Sequence, residues 1–191
     1  MNFKTFINGA TLLIALGLIG YSQLEKRRTP SSSINSPAVK TKNLEVWSVK
    51  PGSIYDGDTL RVVKGNQELK IRFCGTDSPE LKQPLGVEAR DYLRSLINDS
   101  NGTVHLIRVE TDRYGRTIAD LFVPLKSNPE QEIHLNSAMI EAGMAWHYEK
   151  YSDDCLDRDG LAIAQQLAKE NRVGVHSGVH QKPWEWRRAN R

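Results

Sequence analysis

Three short segments of the sequence are rich in the side chains that phosphate chemistry uses. They are residues 56–59 (DGDT), 72–80 (RFCGTDSPE) and 112–116 (DRYGR). Each segment alone is typical of a turn or of the start of a helix. Together they supply carboxylate oxygens for a hard cation, a further carboxylate that can act as a base, and two arginines. Phosphodiester hydrolysis needs those roles and no others.

Each of these side chains has a specific chemical use. Asp58 and Asp77 offer hard oxygen ligands, which suit Ca²⁺ or another oxygen-binding cation and not zinc. Glu80 lies three residues beyond Asp77, after a proline that stiffens the turn, so its carboxylate could reach a water beside the metal and act as a general base. Arg72 and Arg116 are permanently charged, planar donors, which can bind a phosphate and stabilise the charge that develops on its oxygens.

Short β-prone runs position these residues. They cover residues 44–50, 59–64, 68–74, 103–110 and 116–125, and the Gly65-Asn66 pair predicts a hairpin between the second and the third. Five short strands with inserted helices predict an α+β protein, mainly β, built on a small closed or partly closed barrel.

Apolar residues at helical spacing predict three helices. The first carries Ala89, Leu93, Leu96 and Ile97, and the second runs from Leu135 to Ala142 with Gly143 as its end. The third follows Asp157, with an inward face formed by Ile163, Ala164, Leu167 and Ala168. We expect these helices to pack on the barrel.

The charge of the chain is unevenly distributed. It has 26 basic and 23 acidic residues, but residues 1–42 hold six of the basic ones and one acidic one. The remaining 149 residues therefore carry a net charge of −2, and general attraction to a polyanion cannot explain nucleic-acid binding. Any phosphate must bind at a local site.

The first 42 residues do not have the composition of a folded domain. Residues 6–21 carry no charge and are rich in Leu, Ile, Gly and Ala, so residues 1–28 are interpreted as a signal peptide or a membrane anchor. Residues 29–42 are rich in Ser and Pro and form a linker. We expect an exported protein that is secreted, periplasmic or tethered to the outer face of the membrane.

The two cysteines, Cys74 and Cys155, allow one pairing. Export would permit a disulfide between them, whereas a buried, unpaired Cys74 on a strand is the structural alternative. Residues 179–191 form a C-terminal tail rich in Trp and Arg, suited to nucleic acid or an acidic surface. Packing of one of its tryptophans on the barrel is equally compatible with the sequence.

The three charged segments, in this order, resemble the staphylococcal nuclease (thermonuclease) family. The resemblance covers most of residues 44–176, including the helix from Leu135 to Gly143 and residues 146–151, and places the domain at residues 43–178. It implies a five-stranded oligonucleotide-binding-type (OB-fold) barrel with three helices that hydrolyses DNA and RNA with Ca²⁺ and leaves 3′-phosphate ends.

The resemblance also assigns roles residue by residue. Asp58 and Asp77 match the calcium ligands, and Ser78 matches a position that contributes its backbone carbonyl. Arg72, Arg116 and Glu80 match the catalytic residues. Tyr114, Tyr148 and Tyr151 are candidate substrate-binding residues, although Tyr148 and Tyr151 could instead cover the barrel mouth. The segment after Glu80, residues 81–86, is shorter and less basic than the flexible loop of the family.

Two other functions stay open. A barrel of this type can bind nucleic acid without cutting it, and a tethered module could use its C-terminal tail to contact membrane or protein partners. The carboxylate at Glu80 argues against the first of these, because a binding module does not need it. The second leaves the charged site residues unexplained. We expect a monomer, since no exposed apolar repeat requires a partner.

Overall fold

A closed five-stranded barrel lies at the centre of the computed structural model, which describes residues 43–190. The strands of the described chain are β1 (Glu45–Val49), β2 (Thr59–Lys64), β3 (Gln67–Phe73), β4 (Thr76–Asp77), β5 (Thr103–Thr111), β6 (Thr117–Leu125), β7 (Asn128–His134) and β8 (Trp146–His147). The barrel order is β3-β2-β1-β5-β6. A parallel pairing of β3 with β6, in which Ile71 faces Thr117, closes the barrel.

The five barrel strands confirm the expected fold class. Each begins and ends within one residue of the segment that its β-prone run predicted. The Gly65-Asn66 turn joins β2 to β3, with Gly65 at a φ of +58°, as a tight hairpin requires. Alternating burial along β2 and β6 places apolar side chains inside the barrel.

Three further strands lie outside the barrel. β7 pairs with β6 and extends the sheet, but five of its seven residues are exposed, so it has no alternating apolar pattern. β4 and β8 are two residues each and pair only with one another among the described residues. β4 nevertheless matters for function, because it carries Asp77.

The helices of the described chain are α1 (Gly86–Asp99), α2 (Leu135–Glu141), α3 (Arg158–Glu170) and α4 (Pro183–Ala189). Gly143, at a φ of +67°, follows the end of α2, and the Asp157 side chain caps α3 by accepting from the amide of Gly160. The predicted helices are thus present. The fourth, α4, lies in the C-terminal segment that the sequence suggested to be a tail.

The predicted inward face of α3 is partly wrong. Ala164 and Ala168 are buried, but Ile163 is 59% exposed and Leu167 is 38% exposed. The buried face instead consists of Leu161, Ala164, Gln165 and Ala168. Their spacing of i, i+3, i+4 and i+7 is that of one helical face, so the polar Gln165 faces inward. The prediction chose apolar residues only and therefore placed Ile163 and Leu167 on this face instead.

A disulfide between Cys74 and Cys155 joins the end of the barrel strand β3 to the loop before α3. Close to it, the buried side chain of Asn136 donates to the carbonyls of Cys74 and Ala119 and accepts from the amide of Leu121. These contacts fix α2 against the strand that leads into Asp77.

The predicted signal peptide or anchor (1–28) and the predicted linker (29–42) lie outside the described residues. Among residues 43–190, no helix has the length and apolar character needed to cross a membrane.

Candidate active site

Strand ends bring the first three site residues together. Asp58 directly precedes β2 and Arg72 is the penultimate residue of β3, and the β2–β3 register places Thr59 opposite Arg72. The amide of Phe73 donates to the carbonyl of Asp58 at 3.0 Å, which fixes the start of one strand to the end of the other. β4, which follows β3 along the chain, carries Asp77 to the same place. The geometry of one local hairpin therefore assembles the cluster.

Arg72 bridges the two predicted metal ligands. Its Nη1 lies 3.1 Å from Asp58 Oδ2, and its Nη2 lies 2.8 Å from Asp77 Oδ1. Both carboxylates are buried, with Asp77 wholly inaccessible. Because buried carboxylates need charged partners, this guanidinium is required to hold the two acids side by side.

Ser78 packs tightly beneath this pair. Its amide donates to Asp58 Oδ2 at 2.7 Å. A Cβ added at Gly57 would lie 2.6 Å from Ser78 Oγ, so only glycine allows this approach. Ser78 Oγ itself is buried and has no hydrogen-bond partner.

The cluster holds more acid than it can keep fully ionised. Burial, together with the neighbouring charge of Asp58, raises the pKa of Asp56 to about 7. Burial also raises the pKa of Asp77, although Arg187 and Arg72 act in the opposite direction. An additional positive charge at this position would therefore be strongly favoured.

Glu80 lies at the edge of the cluster, where solvent can reach it. Its backbone amide donates to Gln83 Oε1 at 2.9 Å, which holds the 80–83 turn. The side chain is 36% exposed, whereas Asp77 is fully buried. Glu80 thus has the access to water that a general base requires, which the buried Asp58 and Asp77 lack.

Arg187 is the site residue that the sequence reasoning missed. It comes from α4, and its guanidinium contacts Asp77 Oδ1 at 3.1 Å, Asp77 Oδ2 at 2.8 Å and Glu80 Oε1 at 2.8 Å. Burial would lower the pKa of Arg187, but its hydrogen bonds to these two carboxylates raise it. The only signal in the sequence was the Trp/Arg-rich composition of residues 179–191.

Arg116 belongs to a separate turn between β5 and β6. Its guanidinium pairs with Asp112 at 2.8 Å and lies 5.6 Å from the ring centroid of Tyr114, which is 74% exposed. Within residues 43–190, Arg116 forms no ion pair with Asp58, Asp77 or Glu80. Arg72 thus pairs directly with the buried carboxylates, whereas Arg116 pairs with Asp112.

The remaining candidate aromatic residues form a stack at the barrel mouth. Tyr148 lies parallel to Trp184 of α4, with ring centroids 4.7 Å apart, and Tyr151 meets the edge of Tyr148 at 4.8 Å. Lys150 and Lys182 lie near the Tyr151 and Trp184 rings. One face of Tyr148 is thus covered by the chain itself, while Tyr151 stays 53% exposed.

The chemistry of the donor set fits a hard divalent cation. Two buried carboxylates converge, and the buried hydroxyl of Ser78 beside them is unpaired. In the described chain, however, no three His, Cys, Asp or Glu side chains form a preassembled metal-binding group. Both oxygens of Asp77 are engaged by guanidinium groups.

Comparison with known proteins agrees with this arrangement. The family model described as Staphylococcal nuclease homologue matches residues 70–177. Protein ParB of Escherichia coli is 37% identical over 140 residues, which cover 72% of this chain and 77% of that protein. Micrococcal nuclease of Shigella flexneri is 34% identical over 141 residues, covering 72% and 79%. A protein named uncharacterized endonuclease of Escherichia coli O157:H7 is 32% identical over 135 residues, covering 70% and 80%.

Proposed function

We propose that this chain, which belongs to the staphylococcal nuclease family, is an exported nuclease. In this proposal it hydrolyses phosphodiester bonds of DNA and RNA with Ca²⁺. The products of the proposed reaction carry 3′-phosphate ends. The observation that carries the proposal is the pair of buried carboxylates, Asp58 and Asp77, bridged by Arg72 with Glu80 beside them. A barrel that only binds strands has no need for this arrangement.

The metal-binding residues in this proposal are Asp58, Asp77 and the backbone carbonyl of Ser78. When bound there, Ca²⁺ would neutralise the acidic cluster and polarise a phosphate oxygen. Buried carboxylates held by Arg72 are already oriented, so binding needs little rearrangement of these two side chains. Burial, together with the charge of Asp58, raises the pKa of Asp56 and of Asp77, and a cation bound beside them would offset this effect.

The chain's own residues would carry the remaining steps. Glu80 takes a proton from the attacking water, since solvent reaches its carboxylate beside the two buried metal ligands. Arg72 donates to the phosphate oxygens from the floor of the site. Arg116 would approach from the β5–β6 turn once a phosphate competes with Asp112 for its guanidinium.

Substrate strands would lie across exposed aromatic rings beside the cluster. Tyr114 and Tyr151 are the exposed candidates, and a base can stack on either ring. Export is supported by the sequence of residues 1–28 and by the disulfide between Cys74 and Cys155, because disulfides persist in oxidising compartments. Tethering through the N-terminal segment would keep the enzyme at the outer face of the membrane.

Hydrolysis assays with the full chain test the proposal. Single-stranded DNA, double-stranded DNA and RNA are incubated with Ca²⁺ or with a chelator, and product ends are tested for phosphatase-sensitive 3′-phosphate. We expect cleavage only with Ca²⁺. Glu80→Gln should lower kcat by about 10²–10⁴-fold, the usual contribution of a general base, with little change in strand binding.

Glu88→Gln is the matched control, because Glu88 is an exposed acid in the first turn of α1. It should cleave like the wild type. Equal losses of binding and turnover in Glu80→Gln would remove Glu80 from the chemical step. A folded wild-type protein that binds strands but cuts none of them with any divalent ion would overturn the nuclease proposal in favour of a binding module.

A further inference from the structure

The C-terminal helix places a cation of the protein itself on the proposed metal ligand. Arg187 makes three hydrogen bonds to the cluster, two of them to Asp77 and one to Glu80. Together with Arg72, it occupies both oxygens of Asp77. A carboxylate oxygen that binds Ca²⁺ lies about 2.3–2.6 Å from the ion, which leaves no space for a guanidinium hydrogen bond along the same direction.

This contact is part of a docked segment and does not depend on one long side chain. Pro183 at the start of α4 is buried, and Gln83 Nε2 donates to the carbonyl of Gln181 at 3.0 Å. Trp184 stacks on Tyr148 with an interplanar angle of 5°. Contacts at three positions thus hold α4 against the barrel mouth and direct Arg187 at Asp77.

The electrostatics of the cluster explain why a cation is held there. Among the described residues, the ion pairs of Asp58 and Asp77 with the barrel itself are both made by one cation, Arg72, whose charge also acts on Asp56. A fully buried Asp77 would be costly to keep ionised without a second positive partner. Arg187 supplies that charge from α4, which is the role that a divalent ion would otherwise fill.

We propose that Arg187 is an intrinsic competitor of the divalent cation at Asp77, so that the guanidinium holds the metal-free site and must leave Asp77 when the ion binds. The inference rests on the proposed function for the identity of the ion as Ca²⁺. Because the two cations compete for the same oxygens, each weakens the binding of the other to the same degree. Arg187 therefore sets the Ca²⁺ concentration at which the site fills.

Calorimetric titration of the full chain with Ca²⁺ tests this competition without any activity measurement. Arg187→Met keeps most of the side-chain stem and removes the charge, and we expect it to lower the Kd for Ca²⁺ at least tenfold. Arg188→Ala is the matched control, because Arg188 is exposed on the same helix and has no ion pair among the described residues. The control should bind within twofold of the wild type.

An unchanged or raised Kd in Arg187→Met would overturn the inference. If the wild type nevertheless cuts nucleic acid only with Ca²⁺, the proposed function stands without the inference about Arg187. If neither the wild type nor Arg187→Met binds Ca²⁺, both the inference and the proposed calcium site fail. Should Arg187→Met not fold, the NMR signal of the Arg187 guanidinium Nε–H in the wild type decides the question. Ca²⁺ should shift this signal as the guanidinium leaves Asp77, and an unchanged signal at saturating Ca²⁺ would refute the competition.

Discussion

Two polar regions border the segment that runs from β3 into β4, and they are built differently. At the barrel mouth, Asp58 and Asp77 are held by arginines, one of which comes from a terminal helix. Around the Cys74–Cys155 disulfide, Asn136 satisfies three backbone groups within the fold. The first region holds several acidic groups that an added cation would stabilise, whereas the hydrogen bonds of Asn136 in the second region are made within the protein itself.

The comparison separates function from stability along one stretch of chain. Residues of the mouth should affect catalysis and metal binding more than folding. Residues of the disulfide region should affect folding more than catalysis.

Removal of the disulfide should have the largest effect on stability. The bridge closes a loop with a sequence separation of 81 residues, and a loop of that length stabilises the folded state by about 4 kcal/mol. We expect Cys74→Ala with Cys155→Ala to lose about that much free energy of unfolding in urea. Folded protein should still cut at close to the wild-type rate, and a tenfold lower rate would show that the bridge also positions Asp77.

Asn136→Ala should lower the free energy of unfolding by about 3 kcal/mol, because it leaves buried backbone donors and acceptors unpaired. Urea unfolding of this variant can be compared with Asn98→Ala, a change at an exposed position of α1 that should shift stability much less. Calcium affinity should be unchanged in both variants. A weakened calcium affinity in Asn136→Ala alone would contradict the division between the two regions.

Asp58→Asn should separate metal binding from folding at the mouth. In the wild type, Ca²⁺ at a hundred times its Kd should raise the free energy of unfolding by about 2.7 kcal/mol. The variant should lose most of this gain. Without metal it should be about as stable as the wild type, since the like-charge interaction with Asp56 is relieved. Thermal unfolding with and without Ca²⁺ measures both, and an undiminished calcium effect would exclude Asp58 as a ligand.

The smallest effect concerns pH. Burial lowers the pKa of His147 and of His176, so each binds a proton less readily in the folded protein than in the unfolded chain. Below about pH 6.5 the unfolded chain binds protons that these folded-state side chains do not. Stability is therefore full above that pH and falls as pH decreases, by at most about 1.4 kcal/mol per pH unit for each histidine. Urea unfolding at pH 7.5 and 5.5 should show this loss.

His147→Gln tests the assignment. His147 contacts Ser152 through Nε2, while its Nδ1 is buried without a partner. Glutamine can keep the contact with Ser152 but does not titrate. The free energy of unfolding of the variant should therefore differ less between pH 7.5 and pH 5.5 than that of the wild type. The remaining difference is due to His176. An identical difference would assign the pH dependence to other groups.

The sequence predicted the barrel because all five of its strands coincide with β-prone runs, and in β3 polar and apolar residues alternate from Glu68 to Phe73. Leu60 and Val62 in β2 are buried inside the barrel, as their spacing indicates. β4 and β8 are two residues long and carry no periodicity. β7 is polar and contains Pro129, so its pairing with β6 follows from tertiary contact and not from propensity.

Part of the site was predictable because its residues are close in sequence. Asp58, Arg72 and Asp77 lie within 20 residues, and a hairpin necessarily brings their strand ends together. The contact of Arg187 with Asp77 spans 110 residues. No local pattern encodes such a contact, and α4, with seven residues, is too short to show a helical repeat.

The side-chain amide of Gln83 takes part in both kinds of contact, one local in sequence and one distant. Its oxygen accepts from the amide of Glu80, and its nitrogen donates to the carbonyl of Gln181. A substitution at this buried position would alter both the turn that carries Glu80, the proposed base, and the attachment of the C-terminal helix. In evolutionary terms the two traits are pleiotropically linked, so selection on either one acts on the other through the same codon.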